Sequence, residues 1–326
     1  MTKSALVKTS GRELRRLERL AEDVRDFAVS SRSENTRRAY QRDFTAFDAW
    51  CVAHGLPSLP ADPKTVALYI AAAAKQGKKA ASICRYLASI AEVHKAAGHP
   101  SPVNDQVKIV EKGIRRKIGT KQKQARPLLP AELKAMVELV PDSVQGKRDR
   151  AMLLLGFAGA FRRTELVGLN VGDVKKVREG LEVTVRRSKT DQEGQGRTVA
   201  IPFGSHHDTC PVRAVSDWLD VLADLGERAP KKKPLFRPVK HDVVGSVRAS
   251  DKAVDRLVKR LADKTELEEV SAHSLRAGLA TAAYLSGKSD RAIMKQGRWV
   301  STASVNRYIR DGKLWKDDNA AGGIGL

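Results

Sequence analysis

The sequence predicts a mainly α-helical chain with a small β-sheet, arranged as a helical first part and a mixed α+β second part. Three observations predict this. Apolar residues recur at steps of three and four through the first third of the 326 residues. A polar, basic stretch bracketed by Pro127 and Pro130, "TKQKQARPLLPAEL", then breaks the periodicity. Beyond it, two β-rich segments joined by a polar, glycine-containing loop lie among further helical patterns.

The helices of the first part follow in order. "SENTRRAYQRDFTAFDAWCVAHG" carries Tyr40, Phe44, Phe47 and Cys51 on one face, with basic residues between them. "ADPKTVALYIAAAAKQG" opens with Asp62 as N-cap and Pro63 at the first helical position, and stops at Gly77. "KKAASICRYLASIAEVHKAAG" aligns Ile83, Leu87 and Ile90 and ends at Gly98, and "NDQVKIVEKGIRRKIG" adds a helix with a basic end. Four or five helices with short connections make a bundle. The expected divisions are a charged segment over 1–30, the bundle over 31–118, a linker over 119–130 and a second domain over 131–326.

In the second domain, "RDRAMLLLGFAGAFRRTELVGLN" is helical and strongly apolar in its first half. "LEVTVRRSKT" and "RTVAIPF", joined by "DQEGQG", predict a hairpin with a longer loop. A helix over "TCPVRAVSDWLDVLADLG", a basic loop "KKKPLFRPVKHD" and helices over "SDKAVDRLVKRLADKTEL" and "SAHSLRAGLATAAYLSG" follow. "GRWVSTASVNRYIRDG" predicts one more helix, capped by Ser301 and ended by Gly312, with Val305, Tyr308 and Ile309 on one face.

Charge narrows the function. Lys and Arg number 60 against 38 acids, a formal charge of +22. A globular fold needs no such excess, whereas a polyanionic partner makes the self-repulsion tolerable. Nucleic acid is the first candidate. A membrane is disfavoured, because no apolar run approaches the roughly 20 residues of a spanning helix, and the N-terminus lacks the apolar core of a signal peptide. Aromatic residues are 5% of the chain, too few for extensive base stacking. Cys51, Cys84 and Cys210 form no metal-ligand or CxxC pattern and are expected to be reduced and buried, in a cytoplasmic protein.

The residues that carry chemistry are scattered. His273 and Arg276 share a face at a helix start that Ser271 can cap. Arg162 and Arg163 follow an apolar run and cannot both enter a core, and Glu165 lies three residues after Arg162, placed to orient its guanidinium. Lys189 sits where a strand meets the hairpin loop. Singly, each has an ordinary explanation as a solvated surface group, and Tyr308 one as a packed aromatic.

In combination, an Arg, a hairpin Lys, a His-x-x-Arg helix, a Trp and a helical Tyr, in that order, resemble the tyrosine recombinase, or phage integrase, family. The resemblance covers residues from about 127 to 310, and the stretch from His273 to Arg310 is most similar to the Cre recombinase type, with Trp299 where many members carry histidine and "QGRW" where many have Leu-Gly-His. It implies a SAM-like core-binding domain followed by an α+β catalytic domain, forming a C-shaped clamp on DNA. It also implies a homotetramer on two duplexes of a double-stranded recombination site, and a bacterial, phage or plasmid source. No cofactor and no metal are implied.

The chemistry agrees with these residues. Breaking a phosphodiester without metal needs cations for the phosphoryl oxygens, which Arg162 and Arg276 supply as planar forks. It needs a nucleophile, Tyr308, whose phenol ordinarily has a pKa of about 10 and must be helped to ionise. It needs a proton for the departing 5′ oxygen, from Lys189. His273 would act as base or phosphate donor, Trp299 as a hydrogen-bond donor that packs the pocket, and Glu165 from behind Arg162. Arg37, Arg38, Arg42, Lys78, Lys79 and Arg85 of the first part are the expected phosphate contacts, which supply affinity more than sequence choice. The tail after Gly312, with Trp315, is expected to dock on its own domain or on a neighbouring protomer. Two alternatives share the residues: a type IB topoisomerase-like enzyme and a non-catalytic DNA-binding protein.

Overall fold

The computed structural model describes residues 32–120, 126–186, 196–225 and 231–313, with side chains to Ile309, together with scattered residues between 13 and 27. The chain divides into two compact units, Met1–Lys123 and Gln124–Leu326.

In the first unit, the described residues from Glu34 onward form four helices that alternate with short turns: α1 (Glu34–Ala53), α2 (Pro63–Lys75), α3 (Ala80–Ala96) and α4 (Asp105–Ile118). Three begin with a side-chain cap, since Ser33, Asp62 and Asn104 accept from Thr36, Lys64 and Val107 amides that the first turn leaves unpaired. The stripe read from the sequence is the core: Phe47, Cys51, Val66, Ile70, Ile83 and Ile90 are buried together. Two polar side chains are buried with it. Asp43 on α1 accepts two hydrogen bonds from Arg85 on α3, at 2.5 and 3.1 Å. His94 accepts the Ala61 amide at Nε2 (2.8 Å) and contacts the Ile90 carbonyl through Nδ1 (2.8 Å). A carbonyl only accepts, so Nδ1 carries the proton and the ring is neutral. Cys84 departs from expectation: it is exposed, its thiol donating to Glu111 at 3.1 Å, while Cys51 and Cys210 are buried.

The second unit is built around α6 (Val144–Ala158), whose residues from Ala151 to Gly156 are all buried. It packs on α8 (Pro211–Asp224), where Trp218 is fully buried and donates its indole N–H to the Leu235 carbonyl at 2.8 Å. Around this pair lie α5 (Pro130–Glu138), the short α7 (Arg163–Gly168), α9 (Asp251–Lys264) and α10 (Ala272–Leu285). A smaller cluster of Ala160, Ala280, Ile293, Trp299, Val305 and Ile309 holds α11 (Asp290–Gly297) and α12 (Thr302–Lys313) to the body.

The sheet is larger than the predicted hairpin. β2 (Gly180–Val185) and β3 (Arg197–Pro202) pair antiparallel with Val183 opposite Val199, and β1 (Val174–Val177) adds a third strand beside β2. Leu181, Val183, Val185, Val199 and Ile201 face inward, and Glu182 and Thr184 face out, the alternation of a half-buried sheet. β1, "VKKV", is too short and too charged to signal a strand by itself; its pairing to β2 makes it one. The basic loop "KKKPLFRPVKHD" also contains structure. Leu235 and Phe236 are buried, and β4 (Val239–Lys240) pairs with β5 (Val243–Val244) across His241 and Asp242, both with positive φ as a tight hairpin turn requires. Gly312 does not end its helix, which is continuous from Thr302 to Lys313.

The last residues of the expected linker are part of the second unit. The Arg126 amide donates to the Glu269 carbonyl at 3.3 Å and the Leu128 amide to the Ser274 carbonyl at 3.1 Å, and Leu128 is fully buried. This strand-like strap crosses α10 at Gly278, where a Cβ would lie 1.9 Å from the Leu128 carbonyl oxygen. Gly278→Ala is therefore expected to push the strap off α10 and destabilise the second unit by about 1–3 kcal/mol, the usual scale of overpacking. A denaturant midpoint equal to that of the wild type would show that the strap yields freely.

Candidate active site

The site begins where α6 ends. Gly159 and Ala160 turn the chain, Ala160 in the left-handed region with φ 45°. Phe161 tucks back under Gly159, where a Cβ would lie 2.1 Å from its ring. Arg162 then caps α7. One turn on, the buried Glu165 reaches back to accept the Arg162 amide at 3.0 Å and an N–H of the Arg162 guanidinium. Its carboxylate is shared. Arg298, at the end of α11, donates Nη2 to Glu165 Oε2 at 2.9 Å. The Arg298 guanidinium also donates to the carbonyls of Gly159 (2.9 Å), Gln296 (2.9 Å) and Ala160 (3.2 Å) and stacks on Phe161. Arg298 is itself left-handed, with φ 58°. Non-glycine residues there cost about 1–3 kcal/mol each and persist where the surroundings over-determine them.

The second wall is α10. Ser271 caps it through the His273 amide at 3.3 Å, as the sequence suggested. His273 lies on the exposed first turn, and Arg276, one turn on, is 1% exposed. Arg276 Nη1 donates to the Ala160 carbonyl, and its guanidinium lies 4.3 Å from the centre of the Trp299 ring. Arg276 Nη2 is buried and has no hydrogen-bond partner among the described residues. Trp299 fits because Gly297 has no side chain: a Cβ there would lie 1.8 Å from the indole.

Tyr308 closes the site from α12. Its hydroxyl is 3.0 Å from His273 Nε2, and its ring is 5.3 Å from that of Trp299. Thr281 on α10 donates to the Tyr308 carbonyl at 2.8 Å, and Val305 and Ile309 are fully buried beside it. The tyrosine thus docks in the pocket of its own chain.

The electrostatics follow from crowding. Burial pushes the Glu165 carboxyl up, but Arg298 and Arg162 outweigh it and hold it below the usual carboxylate value. Burial, with Arg162 nearby, pushes Arg276 down to about 10, still charged at neutral pH. Although His273 is exposed as a residue, its ring is packed into protein; that desolvation, then Arg276, Arg162 and Arg163, hold the imidazole below its ordinary value. Cations thus converge on the unpartnered Nη2 of Arg276, next to a phenol hydrogen-bonded to a neutral-leaning imidazole. A lone buried donor is costly, and an anionic oxygen would satisfy it.

Arg162, Glu165, His273, Arg276, Trp299 and Tyr308, far apart in sequence, therefore meet in one place. Lys189 lies outside the described residues, although the strands that lead to it are ordered as β2 and β3. The tail from Leu314, with Trp315, lies outside them too. In the first unit, Arg37, Arg38, Arg42, Lys78 and Lys79 are exposed, Arg38 pairing with Glu34. Arg85 differs from the expected open phosphate contact, because the buried Asp43 holds it as a strut between α1 and α3. Arg298 and Gln296 were missed. Gln296 Nε2 donates to Ala158 (2.8 Å) and to Ala200 on β3 (3.1 Å), tying α11 to the end of α6 and to the sheet. The only signal in the sequence was an arginine between Gly297 and Trp299, which reads as a surface residue until Glu165 is seen to face it. Among the described residues, no group of three or more His, Cys, Asp or Glu could hold a metal ion, and no helix is long and apolar enough to cross a membrane.

Comparison with known proteins places this geometry. The profile of the phage integrase family matches residues 126–313, and that of the phage integrase N-terminal SAM-like domain matches residues 27–99. The chain is 36% identical over 309 residues to an integrase/recombinase XerD homolog of Selenomonas ruminantium, spanning 92% of this chain and 89% of that protein. It is 28% identical over 309 residues to the tyrosine recombinase XerD of Listeria monocytogenes serotype 4b (strain F2365), spanning 90% and 95%. Its fold is similar to that of a lambda integrase dimer solved on a COC′ core site, with a TM-score of 0.58 at 19% identity over 91% of this chain and 78% of that one. A SAM-like helical unit, an α+β unit with a tyrosine on its last described helix, and these relatives together establish that the chain belongs to the phage integrase family of tyrosine recombinases.

Proposed function

We propose that this enzyme is a site-specific DNA recombinase that cleaves and rejoins strands through a 3′-phosphotyrosine on Tyr308, using neither metal nor ATP. The observation that carries this is the Tyr308 hydroxyl, 3.0 Å from His273 Nε2 and beside the buried Arg276 with its unpartnered Nη2. In the first step the Tyr308 oxygen bonds to phosphorus and the bond from phosphorus to the 5′ oxygen breaks. The phenolic proton passes to His273 Nε2, which can accept because burial and the neighbouring cations favour the neutral ring. Arg162 and Arg276 take the two non-bridging oxygens, whose charge grows as the fifth bond forms. Trp299 keeps Arg276 in place and packs the nucleophile. Lys189 protonates the departing 5′ oxygen. The phosphotyrosine retains the energy of the broken bond, so a 5′ hydroxyl reverses the step on the same strand or another without a nucleotide cofactor.

The substrate in this reading is double-stranded DNA. The +22 charge favours it, and the lambda integrase relative is described on its core site. The exposed Arg37, Arg38, Arg42, Lys78 and Lys79 of the first unit would hold phosphates, with the catalytic unit on the same duplex. Four protomers on two duplexes make a complete exchange, and its place is the cytoplasm, where the DNA is.

Three outcomes test this. Tyr308→Phe should bind target DNA as the wild type does and form no covalent complex on a nicked suicide substrate; adduct in that variant would move the nucleophile elsewhere, with Tyr284 the first alternative. Lys189→Ala should slow cleavage by roughly the 10²–10⁴-fold typical of a lost general acid, and a 5′-bridging phosphorothiolate, whose leaving group needs no proton, should restore most of the rate. Without that rescue the acid is another group. Deleting 314–326 should leave single-site binding intact and abolish the two-duplex complex; a truncated protein that still synapses would remove the tail from assembly.

A further inference from the structure

We infer that Arg298 is a positioning residue for the cleavage reaction, acting through Glu165 to hold Arg162 and through the Ala160 carbonyl to hold Arg276. The inference rests on the recombinase reading and adds to it a part that none of the reacting residues supplies.

Placement carries it. Arg298 is 1% exposed, a charged side chain held almost wholly out of solvent. Apart from one bond to the Gln296 carbonyl beside it, the contacts of its guanidinium go to groups that position a reacting residue. Glu165 Oε2, which it binds at 2.9 Å, belongs to the carboxylate that grips the Arg162 guanidinium by Oε1 and the Arg162 amide by Oε2. The Ala160 carbonyl, bound at 3.2 Å, is also the acceptor for Arg276 Nη1. The Gly159 carbonyl, at 2.9 Å, fixes the turn before Phe161, on whose ring the guanidinium lies. One planar fork thus spans both anchors, and a single ammonium could not. The left-handed backbone of Arg298 aims it there: the side chain folds back across the end of α11 instead of following the chain into Trp299.

Charge gives it a second effect. With Arg162 alone, the Glu165 carboxylate would neutralise the cation that the phosphate needs. With Arg298 sharing it, the set Arg162, Arg276, Arg298 and Glu165 carries one more positive charge than it would without Arg298. Arg298, together with Arg162, also holds the buried Glu165 ionised against its own desolvation.

The test is Arg298→Gly beside Arg298→Lys and Glu165→Gln, measured on a suicide substrate. Glycine is the residue that the left-handed backbone itself prefers, so it removes the guanidinium without backbone strain. The expected result is unchanged affinity for DNA with covalent-complex formation slowed by about 10²-fold, the scale of a misplaced catalytic group. The acid limb of the rate against pH should also move to higher pH. Without Arg298 the Glu165 carboxyl takes up a proton at higher pH, and an Arg162 that has swung away no longer helps hold His273 low; Arg163, Arg276 and Tyr308 remain around that ring. Glu165→Gln should lose rate without the Glu165 part of this limb, and adding Arg298→Gly to it should cost less than Arg298→Gly costs alone, because only the route through the Ala160 carbonyl is left to lose. Arg298→Lys should recover part of the rate, and it decides the matter if the glycine variant fails to fold. Wild-type cleavage rates and an unshifted limb in a folded Arg298→Gly or Arg298→Lys protein would overturn the inference while leaving the recombinase reading standing. Absence of covalent complex in the wild type would instead overturn the recombinase reading itself.

Discussion

The catalytic unit depends on one buried carboxylate. Glu165 lies out of water between Arg162 and Arg298. An isolated carboxylate in that position would be driven to its neutral form. Two guanidinium groups and a backbone amide keep it ionised, and it joins segments 133 residues apart in sequence. Removing either partner of such a buried pair leaves the other uncompensated, which is far costlier than the pair is stabilising. The end of α6, the start of α7 and the end of α11 therefore behave as one block. Arg162, Trp299 and, through α12, Tyr308 all take their positions from it.

The Ala160 carbonyl is the second fixed point. It accepts from both Arg276 and Arg298, and it points the right way because Ala160 is left-handed. Two strained residues, Ala160 and Arg298, thus face each other across the hydrogen bonds that hold them. The result is a set of cations in place before any substrate arrives, so little reorganisation is left for the chemical step. Two buried donors of this cluster have no partner among the described residues: Nη2 of Arg276, beside Tyr308, and Nε of Arg298.

The first unit is organised on a different principle. Its buried polar groups, Asp43 with Arg85 and His94 with Ala61 and Ile90, are paired internally and hold helices together. Its other cations lie on the outside. Exposed charges of this kind are screened by salt, whereas the buried Arg276 and Arg298 of the second unit are screened much less.

The sequence by itself determined the helical bundle, because its apolar stripes and caps at Ser33, Asp62 and Asn104 are local signals that packing did not override. It also determined the β2–β3 hairpin and, through order and spacing, singled out Arg162, Glu165, His273, Arg276, Trp299 and Tyr308, which the fold brings together. Short-range signals failed where pairing was the cause: β1 exists only against β2, and the β4–β5 turn only as part of a loop anchored by Leu235 and Phe236. Tertiary structure alone decided which arginines serve as internal struts. Arg85, half-exposed, and Arg298, buried, are chemically identical to their exposed neighbours, and only a carboxylate arriving from a distant segment, Asp43 or Glu165, could hold them in place.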